Sequence, residues 1–264
     1  AFLVNPAYLG WRGTAVLLVL VFICLLIPEF KFLKNNPEEI GEIPDGNINK
    51  MPVSGRGKNA LNDIPVPKDF TLSEALREKT FWILAIGHGA SAMLTSTMMV
   101  HLILAFNNQG LSIEISALMW GIAMGIGGIG QLSGGIVGDR LPKEISNWAF
   151  GALQALGVFI AVYVSNILSA ILFAVIYGIG FGARAPLTTA MRGEYFGRKS
   201  FGKIMGVSMI PMMLLTLSGP WVTSILYEST GNYESGFLLI AAAGLLGSFS
   251  FLVCRKPLHP SLRK

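Results

Sequence analysis

The arrangement of apolar residues constrains this 264-residue chain more than any other feature. Seven segments are long and apolar enough to cross a bilayer, whose hydrocarbon core requires roughly 20 such residues of a helix. They span residues 13–28, 81–106, 115–138, 147–164, 167–191, 204–227 and 236–254. Because lipid offers no hydrogen bonds to the backbone, each segment is expected to be helical. The sequence therefore predicts an all-α membrane protein.

Charged residues are scarce and unevenly distributed. They make up 13% of the chain, whereas soluble domains contain about 25%. Residues 29–79 hold 8 of the 20 Lys and Arg residues and 9 of the 15 Asp and Glu residues. The remaining basic residues lie mainly at the ends of apolar segments, which is typical of membrane topology. The composition excludes an ordinary water-soluble enzyme and indicates no nucleic-acid partner.

Lys and Arg in the short connections predict the orientation. Ten of them fall in three alternate connections: Arg140 and Lys143, then Arg192, Arg198, Lys199 and Lys203, then Arg255, Lys256, Arg263 and Lys264. The opposite connections, 107–114, 165–166 and 228–235, contain none. Because short cytoplasmic loops carry the excess of basic residues, the C-terminus is expected inside. We expect a multi-pass protein of the plasma (inner) membrane.

The polar segment 29–79 has five prolines and charges of both signs, a composition typical of a flexible linker. Its end differs, because Thr71 and Glu74 fit the capping box that starts a helix. Two alternatives follow. The residues around them form a short amphipathic helix on the membrane surface, or they are the first turns of the next span.

Glycine and proline mark two further features of the spans. Glycines four residues apart allow close helix approach in lipid, and the pairs are Gly121–Gly125, Gly130–Gly134, Gly134–Gly138 and Gly178–Gly182. In the sixth span, Pro211, Gly219 and Pro220 are predicted kink sites, because proline removes a backbone donor.

Arg184 is the one charged residue well inside an apolar segment. At about 1.5 Å per residue it lies roughly 26 Å below the outer surface. Its long side chain either snorkels to the cytoplasmic interface or pairs structurally, or it contacts an anionic substrate. Tyr177, Gly180 and Thr188 share its helix face.

A modest polar stripe lies on the second span, where His88, Ser91 and Thr95 share one helix face. The stripe is suited to lining water, although a lone histidine such as His88 is more often a packed, hydrogen-bonded residue than a proton carrier. The sequence contains no carboxylate in mid-membrane, metal-ligand spacing, nucleotide-binding loop or nucleophile elbow. We therefore expect no enzymatic activity, no cofactor and no metal site.

The connection after the third span carries a family resemblance. Residues 134–143, GGIVGDRLPK, resemble the G-x-x-x-D-R-x-G-R-K/R loop of the major facilitator superfamily. Gly135, Asp139, Arg140 and Lys143 match in place, and Pro142 stands at the second glycine, as in the degenerate copy between helices 8 and 9. Residues 10–12, followed by an apolar run, look like the entry to helix 6. Residues 192–199, RGEYFGRK, are similar to the helix 10–11 connection of the carboxylate-transporter-like branch.

The resemblance implies a domain organisation. Residues 1–12 would be the end of helix 5 with an external turn, 13–28 helix 6, 29–79 the central cytoplasmic loop, 80–254 the C-terminal six-helix half and 255–264 a cytoplasmic tail. Family members have two such halves around a central cavity. The resemblance therefore implies that this chain is a fragment without its N-terminal half.

The resemblance also implies roles for particular residues. The second and fifth spans become helices 7 and 10, which line the cavity. This assignment places His88, Ser91, Thr95 and Arg184 near substrate, with Tyr177 and Thr188 beside them. The Asp139–Arg140 pair, with Gly135 and Lys143, becomes a latch that breaks when the inner gate opens. The alternative for this loop is a basic anchor with a local ion pair.

The functional hypothesis is secondary transport of a small organic solute, an organic anion, by alternating access and with a coupling ion. Because the 115–138 span has no charge before Asp139, a monocarboxylate substrate is not favoured. Two alternatives stay open, namely a seven-helix membrane receptor and a membrane scaffold that does not transport.

Overall fold

The computed structural model of the chain describes residues 9–33 and 69–262. The helices are α1 (Gly10–Phe32), α2 (Leu72–Arg77), α3 (Lys79–Asn108), α4 (Ile113–Arg140), α5 (Lys143–Val162), α6 (Ile167–Phe196), α7 (Phe201–Thr230) and α8 (Glu234–Phe249). Short 3-10 turns follow at Ser250–Val253 and Pro260–Leu262. Within the described ranges there is no strand, and seven helices are long and apolar enough to cross a membrane. The predicted all-α membrane fold is confirmed.

The helices extend beyond several predicted spans. Helix α7 is three residues longer at each end than the predicted 204–227 segment. Helix α1 continues through Pro28 to Phe32, so its predicted end at residue 28 is wrong. A proline near a helix end removes only one backbone hydrogen bond, which the remaining turn tolerates. Most of the predicted linker, residues 34–68, lies outside the described residues, as do residues 1–8 and 263–264.

The chain divides into two compact units, 1–66 and 67–264. The first contains α1, whose most apolar window has a mean hydropathy of 2.5. Its Thr14 hydroxyl donates to the Gly10 carbonyl at 2.8 Å, a bond that satisfies the hydroxyl within the helix itself. The second unit contains α2 to α8 and all the candidate site residues.

Helix α2 is separate from α3. This separation decides whether the residues around Thr71 form a short helix of their own or the first turns of the next span. The Thr71 hydroxyl accepts the Glu74 backbone N–H at 3.3 Å, and the Glu74 carboxylate accepts the Thr71 N–H at 2.8 Å. The Thr71 backbone N–H, with the hydroxyl, holds the pKa of Glu74 below its usual value. Glu78 then adopts an extended conformation between α2 and α3. The predicted capping box is confirmed, and the prediction of a continuous first turn of the span is wrong.

The α6–α7 connection is attached to the segment before α2. Asp69 accepts the Arg198 backbone N–H at 3.0 Å, and the Phe70 N–H donates to the Phe196 carbonyl at 2.9 Å. The Phe70 ring packs edge-on against Phe196, with ring centroids 5.5 Å apart, and against His259 at 4.9 Å. These contacts enclose the last turns of α6.

Glycines bring the backbones of α4 and α6 into contact. A Cβ on Gly134 would lie 2.1 Å from the Ala183 carbonyl oxygen, and one on Gly182 would lie 1.9 Å from that of Gly127. Since both obstacles are backbone atoms, a side chain at either position would push the helices apart. The predicted close packing therefore holds for the Gly130–Gly134 and Gly178–Gly182 pairs.

The Gly121–Gly125 pair behaves differently. A Cβ at either position would meet nothing within 4 Å in the described structure. This pair lies on the exposed side of α4, so the spacing alone did not identify a packed face. The expectation of close packing is wrong for Gly121–Gly125 in the described part of the chain.

Helix α7 joins α3 at its second proline. Pro220 has no N–H to donate to the Thr216 carbonyl, and the Ser96 hydroxyl of α3 donates to that carbonyl at 2.6 Å. The Pro220 carbonyl lies 3.0 Å from His101 Nε2. A Cβ on Gly219 would lie 2.3 Å from Thr97 Oγ1. Two of the three predicted kink sites, Gly219 and Pro220, thus lie at a cross-helix junction. The helix continues from Phe201 to Thr230, and bending at Pro211 and Pro220 stays a prediction.

The glycine contacts predict opposite effects for two substitutions in one helix. Gly134→Ala should lower the free energy of unfolding by about 1–3 kcal/mol, because the methyl group would overlap the Ala183 backbone. Gly128→Ala should raise it by about 0.5–1 kcal/mol, because that position is open and alanine favours the helix. Thermal unfolding midpoints of the two purified variants in detergent test the pair. Equal shifts would contradict the packing of α4 on α6.

Candidate substrate site

Arg184 lies inside the bundle of α3, α5 and α6 and is only 4% exposed. Its Nη1 donates to the Gly87 carbonyl of α3 at 3.2 Å, and its guanidinium carbon lies 6.0 Å from the centroid of the Phe251 ring. Its Nε is buried and has no hydrogen-bond partner. Since protein encloses the guanidinium, the snorkelling interpretation is wrong. A structural role through Gly87 and a role in anion binding are both compatible with these contacts.

Arg192 is a second buried arginine, two turns further along α6 and 2% exposed. Its Nη1 is also buried without a partner. The sequence predicts that the span ends at residue 191 and that Arg192 lies in the connection after it; this end is wrong, because α6 continues to Phe196, while the cytoplasmic side of Arg192 stays a prediction. The helix continues because Met191, Tyr195 and Phe196 pack into an apolar core beyond the span. The spacing of Arg184, Thr188 and Arg192 on one face was the available signal.

The two guanidinium groups carry the same charge and lie about two turns apart on α6, and both residues are buried. Neither arginine forms an ion pair with a carboxylate in residues 9–33 or 69–262. A buried charge without a counter-charge is strongly unfavourable. The arrangement is therefore suited to holding a negatively charged group.

A neutral hydrogen-bond network joins α3 to α5. The Ser91 hydroxyl donates to Gln154 Oε1, Gln154 Nε2 donates to Thr95 Oγ1 at 3.0 Å, and the Thr95 hydroxyl donates to the Ser91 carbonyl at 3.1 Å. Two members of the predicted stripe, Ser91 and Thr95, are thus brought together. The third, His88, lies one turn away with its Nδ1 buried and unpartnered. Gln154 was not predicted as a site residue, and its signal was an amide in the middle of an apolar segment.

The remaining predicted residues of α6 lie on the same side of the helix. Tyr177 is fully buried, stacks on Phe173 with ring centroids 5.3 Å apart, and has a hydroxyl without a hydrogen-bond partner. The Thr188 hydroxyl lies 2.8 Å from Asn147 Oδ1 of α5 and 3.0 Å from the Arg184 carbonyl. Asn147 was not predicted as a site residue either. Polar groups of α5 therefore face α6 on both sides of Arg184.

The predicted gate loop consists of Gly135, Asp139, Arg140 and Lys143. The prediction that these residues form a loop is wrong, because the first three belong to the last turns of α4 and Lys143 begins α5, so that only residues 141–142 lie between the helices. Asp139 and Arg140 are exposed, and neither forms an ion pair with another described residue. Gly135 is open on its outer side, because a Cβ added there would meet nothing within 4 Å. Lys143, by contrast, pairs with Glu194 of α6 at 2.7 Å. The loop therefore does have a local ion pair, but Lys143 forms it and the Asp139–Arg140 pair does not.

The described residues present no cluster of metal ligands. No group of three or more His, Cys, Asp or Glu side chains in 9–33 and 69–262 is placed to hold a metal ion. The polar groups around Arg184 are neutral hydroxyl and amide groups. These groups are suited to binding a solute through hydrogen bonds, and the Arg184 guanidinium is suited to binding it through charge.

Comparisons with known proteins agree with this architecture. A search of the curated proteins finds no match. Among the solved structures that match, one concerns substrate recognition in proton dependent oligopeptide transporters, with a TM-score of 0.59 and 12% sequence identity. The match covers 74% of this chain and 44% of that one, so this chain spans less than half of its length. At this identity the likeness shows the fold alone.

The family comparison covers nearly all of the sequence. The model of the Major Facilitator Superfamily matches residues 2–183 and 148–264. This match agrees with the seven apolar helices and favours the transporter hypothesis over the receptor one. The chain therefore belongs to the Major Facilitator Superfamily, a family of integral, multi-pass membrane transport proteins.

Proposed function

We propose that the protein is a secondary transporter that moves a small organic anion by alternating access. The observation that carries the proposal is the enclosure of Arg184 in the bundle without a carboxylate partner in the described ranges. Leaving an arginine unpaired in such a position typically costs about 3–5 kcal/mol. A bound anion would remove this penalty.

The surroundings of Arg184 supply the rest of a solute site. Ser91, Thr95 and Gln154 present hydroxyl and amide groups on one side, and Thr188 lies one turn further along α6. The Tyr177 hydroxyl adds an unpartnered donor. Polar groups of this kind orient the uncharged part of an organic solute, while the guanidinium binds its carboxylate or phosphate.

The proposal includes a second, N-terminal half, with which this chain would enclose the cavity. Helix α7 supports it, because only Ile204, Ser208, Gly219 and Thr223 are buried along its 30 residues. Its exposed surface is available to lipid and to the other half. We also propose that the C-terminus is cytoplasmic and that the membrane is the plasma membrane, because basic residues concentrate in alternate connections. The resemblance of residues 192–199 supports a place in the carboxylate-transporter-like branch. A coupling ion would bias the exchange between the two states.

The gate loop is assigned to this exchange. Asp139 and Arg140 are exposed and have no ion-pair partner among the described residues. We propose that their partners lie in the N-terminal half and that these contacts break when the cytoplasmic side opens. The Lys143–Glu194 ion pair would hold the α5 end of the loop in place meanwhile.

Substitution of Arg184 tests the solute site. In the full-length protein reconstituted in liposomes, Arg184→Gln should lower uptake of organic anions by about tenfold or more, because the buried charge is lost. Arg184→Lys should retain part of the uptake, since lysine keeps the charge but not the planar fork. Arg198→Gln is the matched control, because that side chain is exposed. Uptake by Arg184→Gln within twofold of wild type, at equal protein amount, would remove Arg184 from the site.

A second pair of variants tests the gate loop. Asp139→Asn should lower the maximal uptake rate about tenfold while leaving the Kd for the solute unchanged, because it removes a gate contact and not a binding group. Glu114→Gln, at the opposite end of α4 and equally exposed, should have no effect. A wild-type rate for Asp139→Asn would contradict the latch and favour the basic-anchor alternative.

A further inference from the structure

Arg192 differs from the other basic residues near the ends of α4, α6 and α7. Arg140, Arg198 and Lys199 are exposed, as basic residues at a membrane boundary usually are. Arg192 is 2% exposed, with Nη1 buried and unpartnered. Arginine is almost never fully buried unless it is paired. Its enclosure therefore needs a reason other than membrane orientation.

The carboxylates of α6 and of the first turn of α5 do not supply that reason. Glu194 is paired with Lys143 at 2.7 Å, and Glu144 accepts the hydroxyl hydrogen of Tyr195. Neither forms an ion pair with Arg192 or Arg184. The described site therefore contains two buried guanidinium groups of the same charge. A solute with a single negative charge would neutralise only one of them.

The two charges are also separated along α6. Eight residues at about 1.5 Å each place their Cα atoms roughly 12 Å apart along the helix axis. Thr188 and Asn147 lie between them and are hydrogen-bonded to one another. Two separated cations match a solute with a carboxylate at each end better than a compact anion.

We infer that Arg192 is a second anion-binding residue and that the solute is an organic dicarboxylate, with one carboxylate held by Arg184 and the other by Arg192. The inference rests on the proposed anion transport and specifies its substrate class. Each guanidinium presents a planar pair of donors to one carboxylate. The unpartnered Nε of Arg184 and Nη1 of Arg192 are the atoms available for these contacts.

The test uses the full-length protein, purified and reconstituted, with three probes at pH 7. Succinate carries two separated carboxylates, succinamate has the same length with one carboxylate replaced by an amide, and inorganic phosphate is compact. We expect wild-type protein to bind succinate about tenfold or more tightly than succinamate. Arg192→Gln should abolish this preference by weakening succinate to the level of succinamate. Arg192→Lys should retain part of the preference for succinate. This second variant keeps the test valid if Arg192→Gln does not fold.

Arg198→Gln is the control for the loss of one basic residue from the same region, and its preference for succinate should equal that of wild type. A succinate preference that survives in both Arg192 variants would overturn the inference. In another outcome, wild-type protein binds succinamate and succinate equally, and only Arg184→Gln loses the binding of both. That result would overturn the inference and leave the proposed anion transport standing. Phosphate binding that depends on Arg192, without succinate binding, would replace the dicarboxylate by a compact dianion. Absence of binding and uptake for every anion in the panel would overturn the proposed function as well.

Discussion

The backbone contact between α4 and α6 determines where the polar residues of α6 lie. Burial of apolar surface cannot hold these helices together in a bilayer, because lipid tails are as apolar as the side chains. Close approach at Gly134 and Gly182 supplies dense van der Waals contact instead. Ala183 is pressed against α4 by this contact. The adjacent residue, Arg184, is thereby directed away from α4, towards α3 and α5.

The opposite side of α6 is fixed in a similar way. A Cβ on Gly180 would lie 2.4 Å from the Gln154 backbone nitrogen of α5, and one on Gly157 would lie 2.6 Å from Tyr177 Cβ. Helix α6 is thus held between α4 and α5 with little freedom to shift. Since Gln154 is at the α5 contact, its amide is positioned to join Ser91 and Thr95 of α3. Close backbone packing and the polar network are therefore parts of one arrangement.

The sequence predicted those features that depend on spacing along one helix. Hydropathy located all seven apolar helices, and the Thr71–Glu74 spacing located the start of α2. That Ser91 and Thr95 share one face of α3 followed from helical periodicity in the same way. Spacing cannot identify the neighbouring helix, however. It therefore did not separate the packed pair Gly130–Gly134 from the open pair Gly121–Gly125.

The site residues that were not predicted from the sequence have the same explanation. Arg192 resembles a basic residue at a membrane boundary until the apolar residues around it are seen to pack and to prolong α6. Gln154 and Asn147 belong to α5, and their importance depends on α6 and α3 lying against them. Each of these residues is identified by a neighbour distant in sequence. Composition and periodicity along a single helix do not contain that information.

The polar groups of the site fall into two classes with different physical consequences. The hydroxyl and amide groups of Ser91, Gln154, Thr188 and Asn147 satisfy one another, so they stabilise the bundle whether or not a solute is bound. Arg184 Nε and Arg192 Nη1 are buried and unsatisfied. Unsatisfied groups destabilise the empty site and lose that penalty when a ligand binds. Under the proposed function, the free energy of solute binding therefore comes mainly from the arginines, while the hydroxyl and amide groups orient the uncharged part of the solute.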